Sequence, residues 1–336
     1  MRYLILIVCI LAGSAFANDE ISERNQLKIL AYSLFSEERF DELEQLASNY
    51  RQDDVRTSSG TLKYPLIYRG VSATNAGIHK DDDGAWQQQL DRADKWIKLY
   101  PESPTARIAR ASILISRASN YRGTRFIKNT PKSDIEMARK YFSEAATYLI
   151  ENQNLGKKDP RWFRSMLLAY TNIGASNEEY FNLFHEAIET FPGHDDFYFN
   201  ATVFYSPQYG GSSKAIDELA MLAMKNTQAE RGYELYARVY WAATPLPDGR
   251  LHLMEDDINW EYFLLGVDAV LKKYPTQWNL NHLAFFVCMR EDWEKTSELM
   301  LLLKEPLIPS AWQNEANIHY CKVWTDRWRA NHQSSQ

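Results

Sequence analysis

Nowhere in this chain of 336 residues does a run of β-branched residues alternate with polar ones over strand length, which excludes a sheet-built fold. No apolar run approaches the roughly 18 residues a spanning helix needs, so no membrane span is expected. Cysteine is scarce, with 3 in all. Positive charge is not in excess either: 38 Lys and Arg stand against 44 Asp and Glu, a balance that favours solubility and argues against general nucleic-acid binding. The catalytic signatures G-x-S-x-G, G-x-G-x-x-G and the P-loop are all missing, so the chain reads as a non-enzyme without a cofactor. Metal binding is not expected. His185 and Glu189 share a helix face and His194-Asp195-Asp196 follows, but a zinc helix motif needs His at 189, and a closed site needs more converging ligands. Asp81-Asp82-Asp83-Gly84 lacks the alternating spacing of a calcium loop and reads as a solvated turn.

What is present begins with an export signal. Arg2 precedes the apolar run Leu4 to Ala12, and Ala15-Phe16-Ala17 supplies a small-x-small cleavage site, which predicts a signal peptide over 1–17. Ser14 stands where a lipid-anchored chain would carry cysteine. The mature chain is therefore expected to be soluble and periplasmic or secreted. It would carry 37 bases against 44 acids, a net charge of −7 once Arg2 is removed. Cys9 leaves with the signal, so Cys288 and Cys321 remain. Export permits a bridge between them. Their separation is close to one helical-hairpin repeat, however, and equivalent positions on stacked helices lie about 8–10 Å apart, beyond the ~7 Å limit for a disulfide. Two buried thiols are the favoured expectation.

Leu283 to Leu303 and Leu30 to Tyr50 share one pattern, in which Leu30 matches Leu283, Ala31 Ala284, Leu34 Val287, Glu38 Glu291, Phe40 Trp293 and Leu46 Leu299. Each copy reads as helix, tight turn, helix, with an aromatic opening the second helix. Such a hairpin cannot bury its apolar face alone and stacks on neighbours. The expected fold is all-α, an irregular α-solenoid of about a dozen tetratricopeptide-like helices. The expected organisation is an N-terminal hairpin over 18–52, a loop and short helix over 53–85, a helical-repeat region over 86–332 and a disordered tail over 333–336. Leu27, Leu30, Ala31 and Leu34 form the apolar face of the first helix. Start signals stand at Ser103-Pro104, Ser133-Asp-Ile-Glu136, Asp159-Pro160 and Ser176-Asn-Glu-Glu179, and stops at Tyr100-Pro101, Phe191-Pro192 and Tyr274-Pro275. Arg56 to Gly60 reads as a turn, and Gln228 to Ala243 as one helix in which Gly232 admits a close neighbour.

Several motifs carry a family resemblance. They are Trp96, Pro101-Glu-Ser103, Ala106, Arg122-Gly123, Asp159-Pro160-x-Trp162, Tyr205-Ser-Pro207-Gln-Tyr209-Gly210-Gly211-Ser212 and Gly232-x-x-x-Tyr236-Ala237-Arg238-x-Tyr240. From about Phe40 to Tyr240 the chain resembles a bacterial family of tetratricopeptide-like proteins defined as a domain of unknown function. Pro207-Gln-Tyr-Gly-Gly departs from that family's Pro-Lys-Trp-Gly-Gly at the aromatic. The resemblance implies a helical-repeat fold and no transferable activity.

The candidate site follows from charge. Between Glu102 and Asp134 no acid occurs, while Arg107, Arg110, Arg117, Arg122 and Arg125 do, which in an acidic chain marks a patch able to hold an acidic protein or peptide partner or an anionic polymer. The competing reading has Asp91, Asp94, Glu136 and Glu144 on flanking helices neutralise it. Tyr320, Trp324 and Trp328 form a stripe on the last helix that reads as core contact. The function expected is that of a scaffold or adaptor without catalysis. The alternative is a hydrolase of cell-envelope polymer acting through loop carboxylates.

Overall fold

The computed structural model describes residues 19–52, 55–123, 127–207, 211–244 and 257–333. The expected signal peptide over 1–17, Arg125, Tyr209, Gly210 and residues 334–336 of the expected tail lie outside them. Among the described residues the chain is all-helical, and no helix is long and apolar enough to cross a membrane. The helices are α1 (Asp19–Ser36), α2 (Phe40–Gln52), α3 (Tyr64–Ala73), α4 (Asp83–Leu99), α5 (Pro104–Arg122) and α6 (Lys132–Glu151). Next come α7 (Gln153–Gly156), α8 (Pro160–Ile173), α9 (Asn177–Thr190), α10 (Asp196–Tyr205) and α11 (Ser213–Asn226). The last are α12 (Tyr233–Ala243), α13 (Trp260–Lys273), α14 (Gln277–Met289), α15 (Trp293–Leu302) and α16 (Glu315–Gln333).

Local chemistry sets most of these boundaries. The side chains of Asp82, Ser103, Asp159, Ser176, Ser212, Asn259, Thr276 and Asp292 each accept a backbone N–H of the first turn that follows. Ser176 and Glu179 complete a reciprocal capping box. The other expected box does not form. Ser133 lies inside the first turn of α6, whose N-cap is Pro131. Tyr100, Phe191 and Tyr274 end α4, α9 and α13 with nearly one conformation, φ −126° to −135° and ψ 67° to 71°. In all three the proline that follows, Pro101, Pro192 or Pro275, disfavours a helical conformation at the aromatic residue.

The paired hairpins keep their correspondence in backbone detail. Glu38 and Glu291, matched in sequence, both take positive φ, 58° and 59°. Phe40 opens α2 and stacks on Trp96 at 5.4 Å, while Trp293 opens α15 and stacks on Trp324 at 5.9 Å. A left-handed conformation disfavours a side chain, so Glu38→Gly and Glu291→Gly are each expected to raise stability by about 0.5–1 kcal/mol. Urea unfolding midpoints would register the gain, and a loss at both positions would contradict it. The exposed Lys95–Glu38 pair offsets little of it.

Some expectations need correction. Leu30 is exposed, and the buried face of α1 is Leu27, Ala31, Leu34 and Phe35, because among the described residues nothing covers the outer side of this first helix. Gly232 sits at the N-cap of α12 with φ 48°, so the helix begins at Tyr233. The close approach falls instead at Gly266 of α13, where a Cβ would meet the Tyr233 carbonyl oxygen at 2.4 Å. On α16 the buried positions are Cys321 and Thr325, whereas Trp324 is 40% exposed and Trp328 half-buried. That stripe caps the end of the molecule and leaves much of its surface open. α16 also runs through Gln333, into the expected tail.

Cys288 and Cys321 form a disulfide, contrary to the expected thiols, with Cα atoms 5.9 Å apart. The spacing argument assumed equivalent positions on parallel stacked repeats. Here α14 and α16 touch directly, and both cysteines are fully buried at their contact.

Most successive helices pack on one another and, with the one-turn α7 set aside, alternate ones touch as well: α1 on α3, α3 on α5, α5 on α8, α8 on α10, α10 on α12 and α14 on α16. The turn over 56–60 is largely buried, with Ser58 alone of its residues exposed. Thr57 and Ser59 are buried, and Glu20 of α1 accepts from the Thr57 hydroxyl and the Ser59 backbone N–H. The turn carries Arg56 to Asp195 at 2.7 Å and offers the Ser59 carbonyl to Arg238 at 2.6 Å and Asn279 at 3.1 Å. Arg231 bridges Asp195 and Glu234, and Glu234 accepts from Arg238 at 2.9 Å. One buried network of ion pairs and hydrogen bonds thus joins the N-terminal turn to α12 and α14.

Nearby, His282 lies between the rings of Trp241 and Trp278, at 4.5 and 4.7 Å, and its Nε2 has no hydrogen-bond partner. Burial, reinforced by Arg24, pulls its pKa down to about 3. The folded state therefore binds fewer protons than the unfolded one below the unfolded pKa of about 6.5, and stability falls as pH falls from there. Between pH 6.5 and 5.5 this group should remove about 1 kcal/mol. His282→Phe should lose that part of the slope, measured as the difference between unfolding midpoints at the two pH values. An unchanged slope would rule the attribution out.

Candidate binding site

The expected arginines are distributed along α5 onto different partners. Arg107 donates to Asn152 Oδ1 at 2.9 Å and to the Ser103 carbonyl. Arg110 pairs with Asp94 at 2.6 Å and lies over the Tyr148 ring. Arg117 is buried, pairs with Asp83 and stacks on Tyr141 at 4.3 Å. Arg122 is half-buried at the end of α5, and Arg125 lies outside the described residues. Asp94 was foreseen as a neutralising acid. Asp83 was not, and with it the acidic turn is more than solvated: Asp82 caps α4, Asp83 holds Arg117, and Asp81 accepts from Tyr121 at 2.7 Å.

A different set of cations faces open space. Asp159 builds it. One carboxylate oxygen accepts the Arg161 backbone N–H at 2.8 Å and starts α8. The other takes the hydroxyls of Tyr64 and Tyr68 and lies 3.1 Å from Arg51. Both tyrosines are pushed well above their ordinary pKa, by burial first and then by this carboxylate, so they stay protonated donors. The first turn of α8 is thereby fixed, and Arg161 extends over the Tyr68 ring at 5.5 Å. Arg164, three residues on, shares its face and donates to Asn200.

These two arginines line a groove of about 260 Å³ between α3, α5 and α8. Ser112, Ser116 and Ser119 of α5 form the opposite wall. Among the described residues neither arginine has a carboxylate within ion-pair distance, and nor does Arg69 on α3. Burial depresses the pKa of Arg161, Arg69 lowers it further, and Asp196 opposes both. Burial and then Arg161 pull Arg164 down to about 10. The guanidiniums are thus held charged against desolvation and mutual repulsion, a state that an anion would relieve.

Sequence reading missed this pair because Asp159-Pro160-x-Trp162 explained itself as a helix start. The available signal was Arg161, Arg164 and Leu168 at helical spacing in a segment otherwise rich in apolar residues. The His194-Asp195-Asp196 run does not converge. Asp195 joins the central network, and His194 is buried with both ring nitrogens unpartnered and its pKa lowered by burial. Among the described residues no three His, Cys, Asp or Glu side chains group as a metal set. No family model matches the chain, and no curated protein matches it.

Proposed function

We propose that this chain is an exported, tetratricopeptide-like helical-repeat protein that binds a protein or peptide partner in the groove between α3, α5 and α8. The contacts between alternate helices support the α-solenoid arrangement, since they are what an inner row of stacked hairpins would make. The matched backbone of the two hairpin turns supports the repeat. The observation that carries the binding reading is the groove itself, concave and lined by arginines without acidic partners. Its hydroxyl and guanidinium lining suits a partner recognised by polar groups.

The test is selection of peptides from a random displayed library on the purified chain 18–336, followed by hydrogen exchange on the bound complex. Slowed exchange in α5 and α8 is the expected result. Peptides that protect only other helices would overturn the assignment of the groove. The alternative, an envelope-polymer hydrolase, needs two carboxylates facing a cleft, and no Asp or Glu lines this groove. Incubation with peptidoglycan and neutral polysaccharides tests it directly.

A further inference from the structure

The groove holds polar atoms that the fold itself leaves unsatisfied. Ser165 is 2% exposed and its hydroxyl has no partner; Asn75, 3% exposed, leaves both amide atoms unpaired. Both residues line the groove, as does Arg161, whose Nε is also buried and unpaired. A buried polar group without a partner destabilises the free protein. Several converging on one open groove, beside two guanidiniums without carboxylates, mark a place completed by a ligand.

The donors and acceptors specify that ligand's chemistry. Arg161, Arg164 and the Asn75 amide donate on the α8 and α3 side, and the Ser165 hydroxyl is free to donate. Across the groove, Ser112, Ser116 and Ser119 already donate to the carbonyls four residues back, at 2.8, 2.8 and 2.7 Å. What their hydroxyls still offer is lone pairs, which accept. The partner must therefore present an anion to one wall and N–H donors to the other. A peptide with an acidic side chain does both, whereas inorganic phosphate offers few donors. The planar guanidinium fork also matches a carboxylate in two parallel hydrogen bonds. At about 260 Å³ the groove takes side-chain-sized groups and falls below the volume usual for a whole drug-sized ligand.

We infer that Arg161 and Arg164 bind the side-chain carboxylate of an acidic peptide, with Ser165 and Asn75 as further contacts and the α5 serines accepting from its backbone. This deepens the peptide-binding reading and rests on it. Asp196 acts on both arginines electrostatically without lining the groove, and the carboxylate of an acidic peptide would add to that effect at closer range.

The probes are acetyl-(Gly-Glu)₃-amide and its glutamine counterpart, titrated calorimetrically into the chain 18–336 with its disulfide intact, with inorganic phosphate as competitor. The glutamate peptide is expected to bind at least about tenfold tighter than the glutamine one. Its affinity should weaken with salt. R161Q and R164Q are each expected to weaken it about tenfold or more, and R161K, which keeps the charge and loses the fork, to recover only part. S165A separates a binding role from a structural one. It should weaken the glutamate peptide while raising Tm by about 2 °C, because it removes an unsatisfied buried hydroxyl.

Equal affinity for the two peptides would overturn the inference. So would unchanged binding by folded R161Q and R164Q, a fall in Tm on S165A, or displacement of the peptide by phosphate at matching concentration. If library-selected peptides protect the groove but bind the R161Q/R164Q double variant as tightly as the native chain, the carboxylate assignment fails and the peptide-binding reading stands. If no selected peptide protects the groove, the wider reading fails whatever the glutamate probe does.

Discussion

Asp195→Ala is expected to destabilise the fold by about 3–5 kcal/mol, because it leaves Arg56 and Arg231 buried without their shared carboxylate. Arg231 is 6% exposed and the Arg56 side chain likewise 6%, so neither charge can turn to water when the carboxylate is removed. Burial by itself would push the Asp195 carboxyl up, yet Arg231 and then Arg56 hold it down at about 2. The sign follows directly. A carboxyl whose folded pKa is below its unfolded value stabilises the protein above the unfolded pKa. That contribution is lost as pH falls from about 4 towards 2, and amounts to roughly 2 kcal/mol. Urea unfolding of Asp195→Ala at pH 7, set beside the exposed Glu298→Ala, gives the comparison. Glu298 pairs with Lys295 at the surface and should change stability by less than about 1 kcal/mol. A loss at Asp195 no larger than that at Glu298 would mean that the network does not hold the turn in place.

Removing the Cys288–Cys321 bridge is the second large effect. The bond closes a loop of 33 residues, and the chain-entropy model assigns such a closure about 3–4 kcal/mol of stabilisation. Cys288→Ala with Cys321→Ala is expected to lose roughly that amount, first in the terminal hairpin. There α16 adds little buried surface beyond Cys321 and Thr325. Hydrogen exchange should show α16 opening while α5 and α8 remain protected. Mass spectrometry of the native chain after alkylation without reduction would find both thiols unreactive. Two alkylated cysteines in the folded chain would refute the bridge.

How legible these features were depended on how local their causes are. Ser103, Asp159, Ser176 and Ser212 cap the helices they precede, so a few adjacent residues carried the whole signal. The match of Glu38 with Glu291 likewise needed only two short segments, and both turns adopt the same backbone. The α5 arginines were visible as a charge asymmetry, but their acids sit on α4, and only packing decides which cations remain open. Arg161 and Arg164 belong to that class: nothing near them in sequence says that they lack carboxylates. The central network was the least legible. Arg56 and Asp195 are 139 residues apart, and each alone is an ordinary charged residue beside a turn.

The turn at Ser59 also bears on how the chain reaches its fold. An array of hairpins in which each unit touches only its neighbours can form piece by piece, and a missing unit costs only its own interfaces. Here one carbonyl accepts from side chains 179 and 220 residues further along. Those bonds close only after α12 and α14 exist, so the first hairpin cannot complete its packing while the rest is unmade. The entropy of closing so long a loop grows slowly with length, but it has to be met before the contacts form. The N-terminal turn therefore ties the first hairpin, α12 and α14 into one cooperative body, outside which α16 can open by itself.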